Sequence, residues 1–281
     1  MMKKIFKWLG FVAAGLAVVV LIGVAYVFIA SRRELTATHS VTGVALSIPT
    51  GASEIEEGKR LASLAGCMHC HGDNLGGQLV HDFPNLARFV APNVSALQKG
   101  YSDAQLDAAI RHGIKADGTG MLFMPAEMFH HMSDADAARI IAYIRTVPEV
   151  EGTKDRMEIR PLGRALIAAG EFKTGPRAIA AMAPPVDTFD SADPVSHGKY
   201  LVMNLCTECH AQNLGGIPLA NSPPLTVAKS YSLEQFAALM HDGVGLGDRR
   251  FVLMTPTSKA RFAHLKAEEV SAMHAFLKSR G

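Results

Sequence analysis

The sequence predicts an all-α chain: an N-terminal single transmembrane helix followed by two tandem copies of a small helical domain. Three observations carry that prediction. Residues Trp8 to Ala30 form an uncharged apolar run, with Lys3, Lys4 and Lys7 before it and Arg32-Arg33 after it. Two Ser-x-x-Gln helix starts, at Ser102 and Ser232, each reach a glycine after the same interval, Gly113 and Gly243. The segments around these landmarks repeat one another in register, as a duplicated helical unit would.

The apolar run holds 23 residues, and a helix of that length spans roughly 34 Å, enough to cross the hydrocarbon core. A signal peptide has a shorter apolar region that ends in a small-x-small site. Gly23-Val24-Ala25 has that form, but the run continues through Tyr26-Val27-Phe28-Ile29, so residues 1–34 read as an uncleaved anchor. Residues 35–52 are small and polar, interrupted by Gly43, Pro49 and Gly51, and read as a spacer that lifts the next domain off the bilayer.

The first domain is expected over 53–150. Ser53-Glu54-Ile55-Glu56 fits a capping box opening a helix through Gly58, Leu61 and Leu64. The second, over 191–281, opens with Asp193-Pro194, an acidic N-cap with proline at the first helical position, and Gly198-Lys199 matches Gly58-Lys59. Tyr101-Ser102 with Gln105 and Tyr231-Ser232 with Gln235 open the middle helices, which stop at Gly113 and Gly243 as left-handed caps. Closing amphipathic helices follow over Ser133 to Val147, stopped by Pro148, and about Lys266 to Lys278. Between the domains, residues 151–190 are rich in Pro, Gly and Ala. A short helix at Pro161 to Gly170, with Leu162, Leu166, Ile167 and Phe172 available for packing, makes this an ordered strap.

The formal charge of +2 belongs to the anchor region. Without the five flanking bases and Glu34, 23 basic residues face 25 acidic ones. No basic stripe points to nucleic acid.

All four cysteines fall in one motif that occurs twice, Cys67-Met68-His69-Cys70-His71 and Cys206-Thr207-Glu208-Cys209-His210. Two thiols one helical turn apart suit addition to the two vinyl groups on one porphyrin edge, and the following histidine suits the proximal position on iron. A zinc ribbon needs its cysteine pairs close together, and a thioredoxin-like pair has no use for the histidine. Two covalently bound haem c groups are therefore expected. Asn74-Leu75-Gly76-Gly77 recurs as Asn213-Leu214-Gly215-Gly216, and equal counts lead from Gly113 to Met124 and from Gly243 to Met254. The first half carries nine extra residues between its motif and Tyr101, in the stretch Gln78 to Ala91.

A short helix before Cys-x-x-Cys-His, a proline-bearing loop, a middle helix, a loop methionine and a closing helix resemble class I cytochrome c. In duplicate, with Asn-Leu-Gly-Gly after the motif and Met124-Pro125 before the closing helix, the arrangement over residues 53 to 281 resembles di-haem cytochromes that serve membrane-bound dehydrogenases. The resemblance implies helical electron carriers without catalytic residues, whose irons take His71 and His210 on one side and Met124 and Met254 on the other. Met121 and Met128 lie close enough to Met124 to stay as alternatives, and Met254 departs from the pattern in being followed by Thr255-Pro256. It also implies a prolyl carbonyl on each proximal histidine, from Pro92 and Pro224, with Pro84 and Pro223 as competitors. Tyr101 and Tyr231 either reach a haem propionate or pack on the middle helix.

Covalent haem attachment outside the bacterial inner membrane, together with the lysines before the span, implies a single-pass protein with a cytoplasmic N-terminus and periplasmic haem domains. The function expected is transfer of single electrons from a periplasmic or membrane dehydrogenase, or a quinol–cytochrome c oxidoreductase, to a downstream acceptor or terminal oxidase. The alternative, a di-haem peroxidase, calls for halves that differ at the distal ligand, whereas both halves here offer a methionine.

Overall fold

The computed structural model describes residues 2–40, 45–218 and 221–280; Gly43 of the expected spacer lies outside them. Helix α1, Met2–Thr36, is long and apolar enough to cross a membrane. Its last turns are held by the segment between the two halves. Arg164, on α8 (Pro161–Ala168), donates to Ser31 Oγ at 3.2 Å and lies 5.0 Å from the Phe28 ring centroid. Glu34 accepts from the Thr174 backbone and hydroxyl at 3.1 and 2.8 Å and from Arg177 at 2.7 Å.

In the first half, α2 (Ala52–Ala65) leads into the one-turn α3 (Cys67–His71). The hairpin β1 (Gln78–Phe83) and β2 (Ala87–Ala91) follows, then α4 (Val94–Leu97), α5 (Asp103–His112), α6 (Ala126–Phe129) and α7 (Asp134–Thr146). Strand β3 (Glu158–Ile159), α8 and α9 (Gly175–Ile179) connect to the second half. There α10 (Pro194–Leu205) runs into α11 (Thr207–His210), followed by a 3-10 segment over Leu225–Ser230 and α12 (Leu233–Asp242). The short pair β4 (Val244–Gly245) and β5 (Arg249–Arg250), α13 (Met254–Ala260) and α14 (Ala267–Ser279) complete it.

Each half is built on a helix crossing at glycine. A Cβ added to Gly58 of α2 would stand 1.9 Å from the Arg139 carbonyl oxygen of α7, and one added to Gly198 of α10 would stand 1.9 Å from that of Ala272 on α14. Only glycine allows so close an approach of two backbones. Both middle helices have the reciprocal caps read from the sequence: the hydroxyls of Ser102 and Ser232 each accept from the backbone of the glutamine three residues on at 3.2 Å, and the serine backbone N–H donates in return to that glutamine's side-chain oxygen at 2.9 Å. Gly113 and Gly243 close them in the left-handed region, at φ 65° and 67°.

Four expectations are corrected. The chain is mainly helical but not all-α: the extra residues of the first half form β1 and β2, to which β3 adds a third antiparallel strand. The side chains of β2 alternate, with Ala87, Phe89 and Ala91 facing inward, whereas β1 is largely exposed, and Phe89 stacks on Phe123 at 4.1 Å. The capping box at Ser53 does not form; Ile55 already bonds the Gly51 carbonyl at 3.0 Å, which puts Ser53 inside the first turn. The described part of the spacer lies along the first half instead of holding it away: His39 bonds the Gly118 carbonyl at 2.8 Å, and Leu46 and Ile48 pack against the core. In the strap, Ile167 is buried as expected, but Leu162 is exposed.

The first core gathers Leu75, Leu106, Ile110, Met128, Phe129, Ile140 and Ile141. The second gathers Val202, Leu214, Phe236, Met240, Val270 and Met273, and takes in Leu64 from α2 of the first half. Polar contacts tie the halves further: Tyr200 donates to Asp136 at 2.5 Å, Asn204 to the His131 carbonyl at 3.0 Å, and Arg60 to Glu269 at 2.8 Å.

Candidate haem attachment sites

Gly66, in the left-handed region at φ 83°, ends α2 and starts α3, so that Cys67 and Cys70 share a single helical turn. In the second half the chain passes through Cys206 itself, at φ −110°, and reaches the same turn without a glycine. After each motif the backbone folds back tightly: Gly77 bonds the His71 carbonyl at 2.8 Å and Gly216 that of His210 at 3.0 Å. The returning loop then lies directly on these glycines. A Cβ would meet the Ala91 oxygen at 2.6 Å in one case and the Ser222 oxygen at 2.4 Å in the other.

That close approach brings a prolyl carbonyl to the histidine of each motif. Nδ1 of His71 lies 2.9 Å from the Pro92 oxygen, and Nδ1 of His210 lies 2.8 Å from that of Pro223. Pro224, expected for this place, instead caps the following 3-10 segment. The repeat register fixed at the tyrosines does not reach back this far, because Pro92 lies nine positions before Tyr101 and Pro223 eight positions before Tyr231. Pro84 lies in the turn of the hairpin.

A carbonyl can only accept, so Nδ1 of each ring carries the proton and Nε2 keeps a free lone pair. Burial pushes both imidazoles below the ordinary histidine range, against the upward pull of the carbonyls, which keeps them neutral. Burial likewise pushes the Cys67 thiol up to about 11 and the Cys206 thiol up to about 12, with the charge of Arg261 pulling the other way. Cys70 and Cys209 are also raised by burial, then by Glu208. No disulfide joins any of the four.

The donor set fits covalent haem attachment: two soft thiols on one turn with one oriented, neutral imidazole. It does not fit zinc, which takes four ligands at a structural site; among the described residues no group of three or more His, Cys, Asp or Glu could hold a metal ion.

Met124 sits in the turn before α6, half-buried against the first core, and Met254 opens α13, half-buried against the second. Of the alternatives, Met128 is enclosed in the first core at 1% exposure, and Met121 is tied by its backbone to the Gly113 carbonyl at 2.6 Å. The tyrosine hydroxyls bind the loops that lead to these methionines. Tyr101 accepts from the Ala116 backbone at 3.3 Å and Tyr231 from that of Leu246 at 3.4 Å. Neither expectation for the tyrosines included this contact.

Sequence reasoning missed the residues that bring the two motifs together. Arg261 donates to the Leu64 carbonyl, at the end of α2, and to Glu208, inside the second motif, both at 3.0 Å. The corresponding position in the first half, His131, lies 2.8 Å through Nε2 from Gln212, just past the second motif. The available signal was a polar residue at the same repeat position in both halves.

Two comparisons with known proteins agree with this geometry. The Cytochrome c family model matches residues 55–148 and 195–281. The fructose dehydrogenase cytochrome subunit of Gluconobacter japonicus is 29% identical over 179 residues, 58% of this chain and 36% of that protein. The match thus spans little more than a third of that relative's length. With two matched segments that together cover well over half of its residues, each carrying one Cys-x-x-Cys-His motif, the chain belongs to the cytochrome c family, which binds haem c covalently.

Proposed function

We propose that this chain is a membrane-anchored two-haem electron carrier, the cytochrome subunit through which a dehydrogenase passes single electrons to a downstream acceptor. One observation carries the reading: each half joins a Cys-x-x-Cys-His turn, its histidine oriented by a prolyl carbonyl, to a methionine at the same interval after the middle helix. Cys67 and Cys70 would hold one haem and Cys206 and Cys209 the other. His71 with Met124 and His210 with Met254 would close the two faces of each iron. The bound group supplies a reversible one-electron Fe(III)/Fe(II) couple, and thioether ligation favours the reduced form. Pro92 and Pro223 fix the tautomer and orientation of the proximal rings. Tyr101 and Tyr231 hold the loops from which the methionines approach. Protein ligands on both faces leave no position for a substrate, which suits electron transfer and does not suit peroxide chemistry.

Helix α1 would anchor the chain in a bacterial inner membrane with the lysines of its N-terminal end on the cytoplasmic side, and the haem-bearing halves would stand in the periplasm. The name of the relative, a dehydrogenase subunit, favours a dehydrogenase as electron donor. A terminal oxidase or another periplasmic carrier would be the acceptor.

The test is purification of the anchored protein in mild detergent, with haem-stained native gels and mass spectrometry of what accompanies it. Recovery with a cofactor-bearing dehydrogenase whose substrate reduces the cytochrome supports the assignment. Recovery with a quinol-oxidising complex or an oxidase, and no dehydrogenase, would make it a respiratory relay and overturn the subunit role.

A further inference from the structure

We propose that Arg261 is a positioning residue shared by both haem sites, which clamps the two attachment motifs together and raises the reduction potential of both. The inference rests on the two-haem reading above.

Arg261 lies between α13 and α14 and is 7% exposed. Its Nε donates to the carbonyl of Leu64, three residues before Cys67. The same guanidinium lies on Gly66, the residue that joins α2 to the first motif: a Cβ there would stand 2.9 Å from Nε. Its Nη1 donates at 3.0 Å to Glu208, which stands between Cys206 and Cys209. Its Nη2 is buried with no hydrogen-bond partner among the described residues. One side chain thus touches the approach to the first motif and the interior of the second, and its charge reaches all four cysteines.

The charge is permanent, because a guanidinium stays protonated in proteins. Glu208, its only ion-pair partner among the described residues, is 37% exposed, so water screens the negative member of the pair far more than the enclosed positive one. A net positive charge in a low-dielectric interior favours the state that has gained an electron, and so raises the potential of a nearby iron. His131, at the matching repeat position, also crosses between the halves, but it reaches only the second motif's loop and burial pushes it toward the neutral form.

The experiment uses the full-length holoprotein in detergent, as wild type and as Arg261→Gln, Arg261→Lys and Glu208→Gln. Intact mass first counts the covalent haems. A wild type with fewer than two overturns the two-haem reading, and this inference with it. With two haems present, potentiometric titration separates the inference from that reading. Arg261→Gln is expected to lower both midpoints, each by about tenfold in the reduction equilibrium constant, or about 59 mV for a one-electron couple. Arg261→Lys, which keeps the charge, is expected to restore most of that loss. Glu208→Gln, which removes the opposing charge at a half-exposed position, is expected to raise the midpoint of the second site, and it remains informative if Arg261→Gln fails to accumulate. Movement of one midpoint or neither in Arg261→Gln, equal losses in the Gln and Lys variants, or no rise in Glu208→Gln would overturn the proposal.

Discussion

The glycine crossings set where each attachment motif stands, and Gly198→Ala tests them. The added methyl carbon would lie 1.9 Å from the Ala272 oxygen, 2.5 Å from its carbonyl carbon and 2.9 Å from Phe276 Cβ, whereas real Cβ contacts essentially never fall below 3.0 Å. The nearest obstacle is backbone and cannot rotate aside, so α10 and α14 must separate by about 1 Å. Overpacking of this kind costs up to about 3 kcal/mol, and the better helix propensity of alanine offsets about 1 kcal/mol of it. A net loss of about 2 kcal/mol lowers the melting temperature of a unit this size by about 8–16 °C. Gly58→Ala, 1.9 Å from the Arg139 oxygen, is expected to behave alike in the first half. Gly100→Ala serves as the control, since nothing lies within 4 Å of its added carbon. The assay is thermal unfolding of the holoprotein followed by far-ultraviolet dichroism and haem absorbance. If Gly198→Ala and Gly100→Ala melt within about 2 °C of one another, the backbones are not held at this distance and the reasoning fails.

Met124→His and Met254→His are each expected to lower the potential of one haem and leave the other nearly unchanged, because imidazole favours Fe(III) more than thioether does; a titration in which neither midpoint moves would refute the assignment. The Arg60 guanidinium holds the Glu57 carboxyl down at about 2 from an ordinary value of 4.5. A depressed carboxylate stabilises the native state above its unfolded value, so this contribution is present above pH 4.5 and disappears as pH falls toward about 2. Glu57→Gln should therefore flatten the dependence of the urea midpoint on pH across that window, and an unchanged slope would count against the pairing. Tyr200→Phe deletes the 2.5 Å hydrogen bond to Asp136 between the halves and is expected to cost about 1.5–3 kcal/mol, read as a lower melting temperature.

The features legible in the sequence are those closed within a few residues of chain. The motif turns need only Cys67 to His71 and Cys206 to His210. The caps at Ser102 and Ser232 are completed three residues on, and the left-handed stops at Gly113 and Gly243 follow from the backbone freedom of glycine. The repeat adds the equal counts from Gly113 to Met124 and from Gly243 to Met254. The misses have physical causes too. Pro223 and Pro224 were not separable by the repeat, because the first-half count of nine positions before the tyrosine falls on Ser222. Ser53 lost its capping role because the helix already begins at Ala52. The strands over Gln78 to Ala91 draw their inward face from Phe123 and Phe172, which lie well outside the hairpin in sequence. Thus the sequence by itself determined the two thiols and the histidine that each motif turn brings together, which are local. Only the tertiary structure decided how the two sites stand together, because the contact that joins them, Arg261 to Leu64, links residues 197 apart and depends on how the two halves pack.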